Sequence, residues 1–347
     1  MAAEQLGIGL VGCGDIAPAH AKALAEADSA RLVACMDVVA SSAKGLADQY
    51  GVPHTTDLAE LLAQPDVDAV TVATPAFTHA DVVELAAKAG KAVLCEKPLA
   101  ADLPDADRII AACRTAGVAL ATCFPLRNLG AAKWTRDLIQ SGALGDAIAV
   151  RLRNLGEKRD PYWTGGYSGR TTTDWRKSRA QSGGGVIITN LSHHLDLARA
   201  MTGLEVVSVY AQTGTFVTHV EVEDVGVACL RYENGAIGTL EGASCFYGGT
   251  PEPGIVVLAT KGQSRFGLWG GTCDVYLTEE AAGLPAREWT TREFKDSIQV
   301  EVYHEFAAAV REGRPPSSTG EDGRKALETV VAIYRSARTG QPVSLPL

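Results

Sequence analysis

Between residues 6 and 124, short apolar runs alternate with alanine-rich helical patterns, and this alternation narrows the choice of fold more than any other feature of the chain. Strands read at 6–12, 31–37, 67–74, 91–98 and 118–124, with helices at 16–27, 41–51, 79–90 and 105–117. The run VDAVTVAT (67–74) is apolar almost throughout, as expected of a parallel strand covered on both faces. Strand–helix alternation of this kind predicts an α/β domain with a doubly wound parallel sheet. After Phe124 the pattern changes. A helix at 129–141 and a strand at 146–154 precede a glycine- and aromatic-rich loop reaching 182, then a helical stretch over 183–203. Alternating runs fill 206–278, with Asn234-Gly235 between two of them as a hairpin signal. Two helices, 298–312 and 321–338, close the chain. The second part predicts an α+β domain with a large, mostly antiparallel open sheet. The expected domains are 1–124 and 125–347.

The chain has 347 residues and a net charge of −9, which argues against nucleic acid or an anionic membrane as partner. The N-terminus lacks the basic start of a signal peptide, and no stretch of about 18 apolar residues predicts a membrane span. The eight cysteines contain no C-x-x-C pair and read as reduced thiols of a cytoplasmic protein, with neither a disulfide framework nor a zinc site. No metal ligand set is expected elsewhere.

Gly12-Cys13-Gly14-Asp15-Ile16-Ala17 follows the first strand and opens the first helix. This G-x-G-x-x-A turn places free N–H groups and the positive end of a helix against a pyrophosphate. Gly12 allows the tight turn, Gly14 lets the backbone approach the phosphates, and Ala17 lets the helix pack on the strand. Asp37 ends the second strand about 25 residues after Gly12, where a carboxylate binds a ribose 2′-hydroxyl and repels a 2′-phosphate. The combination predicts an NAD site, with NADP less favoured; Asp15 and Ile16 belong to the same turn.

The segments GLVGCGDIAPAHAKAL, VATPAFTHADVV, CEKPLA and SGGGVIITNLSHHLD occur in this order. With VEVEDVGVACLRYENGAIGTLEGAS and the tail GEDGRKALETVVAIYRSARTGQPVSL, they resemble the Gfo/Idh/MocA oxidoreductases over nearly the whole chain. The resemblance implies an N-terminal Rossmann domain, a C-terminal open-sheet domain, and dimers or tetramers built through that sheet. It implies NAD(P)-linked hydride transfer at a hydroxyl-bearing carbon of a sugar, polyol or cyclitol. Relatives that oxidise transiently and then cleave a bond, and non-catalytic NAD- or sugar-sensing regulators, supply alternative readings.

Glu96-Lys97-Pro98 ends a predicted parallel strand, where ligands of open α/β sheets bind. By resemblance Lys97 contacts both the substrate hydroxyl and the nicotinamide, and its ammonium would stabilise developing alkoxide charge. Glu96 is expected to orient or pair on the cofactor side, and the Lys97–Pro98 bond to be cis. Thr74 and Pro75 are expected beside the nicotinamide ribose, with His79 nearby. On a regular helix Thr189 and His193 share a face, while His194 points about 100° away. Aligned on Gly185, the family motif assigns the catalytic histidine to His193, with Asp196 a structural hydrogen-bonding residue. Thr189 stands where many members carry a carboxylate; Asn190 could supply a hydrogen bond instead. The glycines Gly183, Gly184 and Gly185 are expected close to the nicotinamide.

Tyr162, Trp163 and Trp175, with Arg170 and Arg176, give the loop 156–182 the composition of a carbohydrate pocket; cover for a sheet edge or a subunit contact is the alternative. Arg127 and Arg153 are further candidates to bind substrate.

Overall fold

The computed structural model describes residues 5–170, 172–248, 254–268 and 271–347. The chain divides into two compact units. Unit 1 comprises 1–124, 160–183 and 299–327; unit 2 comprises 125–159, 184–298 and 328–347.

Unit 1 is built on six parallel strands, β1 (Leu6–Val11), β2 (Ala30–Met36), β3 (His54–Thr55), β4 (Ala69–Val72), β5 (Ala92–Glu96) and β6 (Leu120–Cys123), in the order β3-β2-β1-β4-β5-β6. This is the doubly wound arrangement expected from the sequence. The reversal of strand order beside β1 creates the switch point where such sheets bind ligands. Five helices connect the strands: α1 (Ala17–Glu26), α2 (Ala40–Tyr50), α3 (Leu58–Leu62), α4 (His79–Lys88) and α5 (Leu103–Ala116). Their ends follow local chemistry. Asp102 caps α5 by accepting the Asp105 N–H at 2.9 Å, and Gly117 closes it at φ 67°, a conformation costly for any residue with a Cβ.

Two later segments, expected in the second domain, pack with unit 1. Residues 160–183 contain the short helices α7 (Asp160–Gly165) and α8 (Arg179–Ser182), which follow α6 (Gly130–Gln140) of unit 2 in the chain. In 299–327, Tyr303, Phe306 and Ala307 join Leu6, Ile8, Leu24 and Leu94 in one buried cluster. Hydrophobic burial decides this membership, and reading elements in chain order does not reveal it.

Unit 2 carries a nine-stranded sheet in the order β14-β13-β12-β11-β7-β10-β9-β8-β15. The strands are β7 (Ala147–Leu155), β8 (Val206–Gly214), β9 (Val225–Tyr232), β10 (Ile237–Ala243), β11 (Ile255–Ala259), β12 (Gly262–Phe266), β13 (Thr272–Leu277), β14 (Trp289–Glu293) and β15 (Val343–Ser344). All neighbours are antiparallel except β7 and β10. The Asn234-Gly235 hairpin forms as expected: Gly235 takes φ 86°, and the Asn234 carboxamide accepts the Ala236 N–H at 2.9 Å. Alternation along β9 buries Ala228, Leu230 and Tyr232 and exposes Val227, Cys229 and Arg231. The sheet therefore has one packed and one open face. The helical stretch 183–203 forms a π turn over Ile187–Leu191 continued by α9 (Ser192–Thr202). The chain closes with α10 (Ile298–Glu312) and α11 (Gly320–Thr339).

Candidate active site

In unit 1 the expected cofactor residues gather at the carboxyl ends of the strands. The backbone at Gly12 takes φ 94°, and a Cβ there would lie 2.7 Å from the carbonyl carbon and oxygen of Ala73, so the turn admits only glycine. Asp37, just past β2, accepts the Cys13 N–H at 2.7 Å through Oδ2 and the Val39 N–H at 2.8 Å through Oδ1. One carboxylate thereby locks the glycine turn to the end of the second strand. Gly14 and Ile16 continue the turn into α1, which carries Pro18 in its first turn. Asp15 turns elsewhere: its carboxylate accepts the N–H groups of Tyr167 and Ser168 at 2.9 and 2.7 Å and lies 3.7 Å from the Arg176 guanidinium. Its visible work is to anchor the turn at 166–168 to unit 1.

Lys97 follows the carboxyl end of β5, and the Lys97–Pro98 bond is cis, as the resemblance implied. Glu96, expected to orient or pair on the cofactor side, is buried and meets His20. Thr74 accepts a hydrogen bond from the Thr78 hydroxyl at 2.8 Å, and Pro75 begins the turn into Ala76–Thr78. His79 is 1% exposed, with Nε2 2.9 Å from the Thr74 carbonyl and Nδ1 3.1 Å from the Leu99 carbonyl. Burial pushes its imidazole pKa down, against the opposing pull of these carbonyls. Although expected near the cofactor, it staples the Thr74 loop to the Glu96-Lys97-Pro98 turn.

The aromatic segment also belongs to unit 1. The Tyr162 ring centre lies 5.4 Å from that of Trp163 and 4.8 Å from that of Tyr167, and the Arg176 guanidinium sits over the rings of Tyr162 and Trp175. Trp163 is 2% exposed and packs as a core residue. Burial raises the Tyr162 phenol, while the cations of Arg176 and Lys97 pull it back.

In unit 2 the glycines before the π turn answer to close packing within the unit. A Cβ on Gly184 would lie 2.0 Å from the Tyr334 hydroxyl, and one on Gly185 would lie 1.9 Å from the Glu223 carbonyl oxygen. The buried Glu223 carboxylate accepts the N–H groups of Gly185 and Ile187 at 2.9 and 3.0 Å and the Tyr334 O–H at 2.7 Å. It satisfies donors that a helix start otherwise leaves open. Because of the π turn, Thr189 and His193 are not spaced along one regular helix. The Thr189 hydroxyl donates to the Gly185 carbonyl at 2.7 Å. Beside it lies Lys158, 6% exposed, whose Nζ donates to Thr189 Oγ1 at 3.2 Å and Asn190 Oδ1 at 2.5 Å. Where the family motif has a carboxylate, this chain thus has a threonine and an asparagine facing an ammonium group.

His193 Nδ1 is buried, and His194 is 1% exposed with Nδ1 3.3 Å from the Asn190 carbonyl. Arg127, expected to face substrate, forms a two-pronged ion pair with the buried Asp196, at 2.8 and 2.5 Å. Arg153, another expected substrate group, pairs with Glu241 at 2.9 Å. That pair lines a depression of about 840 Å³ on the open sheet face.

Sequence reasoning missed Lys158, Glu223 and Asp224. Lys158 gives no signal, being one lysine in a charged loop. The acidic pair ends the run VEVED, and its partners carry no local signal: for Glu223 the backbone at Gly185 and Ile187 and the Tyr334 hydroxyl, for Asp224 the backbone at 216–218. Among the described residues, one group of His, Cys and carboxylate side chains lies within metal-ligand reach, His20, Glu96 and Cys123, and its His20 and Glu96 atoms already bond to each other. Among those residues no helix is long and apolar enough to cross a membrane.

A doubly wound sheet with this glycine turn and this acid after β2 defines a dinucleotide-binding unit. Residues 6–124 match the model of the Gfo/Idh/MocA oxidoreductase family with its NAD-binding Rossmann fold, and residues 133–265 match the family's C-terminal domain. The chain is 31% identical to 1,5-anhydro-D-fructose reductase of Ensifer adhaerens, over 97% of this chain and 98% of the relative. It is also 31% identical to myo-inositol 2-dehydrogenase of Thermotoga maritima, with the same coverage. Among solved structures it resembles the WlbA dehydrogenase of Bordetella pertussis in complex with NADH and UDP-GlcNAcA, at 30% identity and a TM-score of 0.83, over 99% of this chain and 100% of that one. The protein belongs to the Gfo/Idh/MocA family of oxidoreductases, and its cofactor is NAD.

Asp224 generates a stability prediction. Its carboxylate accepts the N–H groups of Phe216, Val217 and Thr218 at 2.8–2.9 Å. Burial raises its pKa, but these bonds outweigh that and hold it below the ordinary 3.8. Its stabilisation is therefore full above 3.8 and disappears as pH falls through the lower folded value. Asp224→Asn should cost roughly 1–3 kcal/mol at pH 7. In urea denaturation the gap from the native protein should narrow as pH falls below 3.8.

Proposed function

We propose that this protein transfers a hydride between NAD and a hydroxyl-bearing carbon of a sugar, polyol or cyclitol, with unit 1 holding the cofactor and unit 2 contributing to substrate recognition. The observation that carries the reading lies within unit 1: Lys97 stands at the carboxyl edge of the same sheet that presents the Gly12 turn and Asp37. The names of the relatives, a sugar reductase and an inositol dehydrogenase, support the substrate class.

The turn from Gly12 to Ile16 and Asp37 would hold the dinucleotide, with Thr74 and Pro75 beside it. Asp37 favours NAD over NADP by charge. NAD, when bound, supplies the carbon that accepts or returns the hydride. The Lys97 ammonium stabilises negative charge developing on the substrate oxygen. His193 takes the hydroxyl proton at Nε2, its Nδ1 being buried. Thr189 and Asn190, held by Lys158, and the rings of Tyr162 and Trp175 are assigned to substrate recognition. Arg127, Arg153 and Trp163 are assigned structural roles, because ion pairing or burial already engages them.

The open face of the nine-stranded sheet is assigned to a homodimer or tetramer contact. Tyr210, Val227 and Ile237 expose apolar side chains there. A cytoplasmic location is supported by eight cysteines that all remain free thiols.

NADH formation measured across hexoses, inositols, sugar acids and anhydro-sugars should identify a substrate. On it, Lys97→Ala and His193→Ala should each lower kcat at least about 100-fold while NADH binding stays within about twofold of native. Full activity in both variants would overturn the assignment. Sedimentation should give a dimer or larger assembly that Val227→Arg converts to monomer; a monomeric native protein rejects the sheet contact.

A further inference from the structure

Behind Lys97 runs a buried polar chain that the proposed chemistry does not use, and all of its members belong to unit 1. His20 on α1 is fully buried. Its Nε2 lies 2.9 Å from Glu96 Oε1. Its Nδ1 lies 2.8 Å from the Tyr303 hydroxyl and 3.2 Å from the Gln299 amide nitrogen. The Tyr303 hydroxyl also reaches Thr71 Oγ1 at 3.1 Å. The second Glu96 oxygen, Oε2, accepts the backbone N–H of Lys97 at 3.0 Å. Tyr303 and Gln299 turn donors toward Nδ1, so that nitrogen accepts and Nε2–H donates to Glu96.

An apolar side chain at residue 96 would continue the apolar run Ala92–Cys95 with less desolvation. A buried carboxylate persists only where hydrogen bonds and opposite charge compensate it. Here burial pushes the Glu96 carboxyl up, but the hydrogen bond from His20, and then the charge of Lys97, hold it below the ordinary carboxylate range. The titratable groups that face Glu96 are His20 from α1, Tyr303 from α10, Cys123 from β6, His79 from α4, and Cys95 and Lys97 on either side of it in the chain. Tyr162 also lies within electrostatic reach of Lys97.

We propose that His20 is a positioning residue for Lys97: it holds Glu96 in one orientation as an anion, and Glu96 in turn fixes the Lys97 backbone and sustains the lysine as an ammonium. The inference rests on the reading of Lys97 as the group that meets the substrate oxygen. The cradle ties the phosphate-binding helix, the end of β5 and a helix returned from late in the chain to one side chain. It explains why α10 contributes a tyrosine to an otherwise apolar packing face.

The sign of the effect follows from the burial of Glu96. Without the His20 N–H its carboxylate loses a stabilising partner while the desolvation remains, so its pKa rises. Function that needs the anion is then present above the new value and lost as pH falls through it. His20→Leu removes the donor, whereas His20→Gln keeps an N–H near the position of Nε2. Carbon NMR of protein labelled at glutamate Cδ and lysine Cε follows Glu96 and Lys97 without any substrate, the signals being assigned with Glu96→Gln and Lys97→Arg.

In native protein and His20→Gln, Glu96 should titrate below the usual carboxylate range. In His20→Leu it should titrate at least one pH unit higher, with a matching step in the Lys97 signal. On the substrate found by the NADH screen, the acid limb of kcat should move up by the same amount in His20→Leu only. Unchanged Glu96 titration in His20→Leu, or equal loss of activity at every pH in both His20 variants, overturns the proposal. If His20→Leu does not fold, the near-isosteric Glu96→Gln decides: kcat should fall at least tenfold with NADH affinity unchanged, and native kcat rejects the idea. Full activity of Lys97→Ala sinks the catalytic role of Lys97 instead, while the NMR titration still reports the His20–Glu96–Lys97 coupling.

Discussion

The turn after β1 passes so close to the end of β4 that a Cβ at residue 12 would lie 2.7 Å from the Ala73 carbonyl, and the Asp37 carboxylate closes the same turn from the other side through the Cys13 N–H. Much of unit 1 depends on this contact. It sets where α1 begins and so aims the helix N-terminus, with its open N–H groups, at the carboxyl edge of the sheet. It also places α1 so that His20 meets Glu96 at the end of β5. The geometry that suits a pyrophosphate and the geometry that supports Lys97 are two consequences of one tight turn.

Buried carboxylates do comparable work in both units. Glu96 ties a strand end to a helix in unit 1. Glu223 ties the start of the His193 helix to Tyr334 in unit 2, and Asp224 ties the loop at 216–218. Each accepts backbone N–H groups that a loop or helix end would otherwise leave unsatisfied. Glu96 and Glu223 thereby fix backbone beside Lys97 and at the start of the helix that carries His193, whereas Asp224 holds a loop for stability. The unit 2 helix departs from regular α geometry over Ile187–Leu191, and departures of that kind recur at functional sites.

Much of this was legible in the sequence because it rests on local rules. Periodicity located five of the six strands of the parallel sheet and missed β3, whose two residues are too short to show a period; the glycine turn announced its own backbone conformation, and Asn234-Gly235 named its hairpin. What escaped depends on contacts between distant residues. That 160–183 and 299–327 pack with unit 1 is decided by the burial of Tyr303 and Phe306 and by the bonds from Asp15 to Tyr167 and Ser168. The glycines at 184 and 185 advertised close approach but not its partners, which are Tyr334 and Glu223. The question raised by Thr189 has its answer in Lys158, a residue whose neighbours no local pattern specifies. Arg127 and Arg153 looked like substrate ligands because an arginine's partner cannot be read from its own position.

The central claim is that the turn from Gly12 to Ile16, closed by the Asp37 carboxylate, is the seat of NAD. Fluorescence titration of the native protein with NADH and with NADPH, repeated on Asp37→Ser, tests it most directly. The native protein should bind NADH at least about tenfold more tightly than NADPH, a difference of roughly 1.4 kcal/mol, and Asp37→Ser should reduce or reverse that preference. Equal affinity for the two dinucleotides, or a preference unchanged by the substitution, would contradict the account.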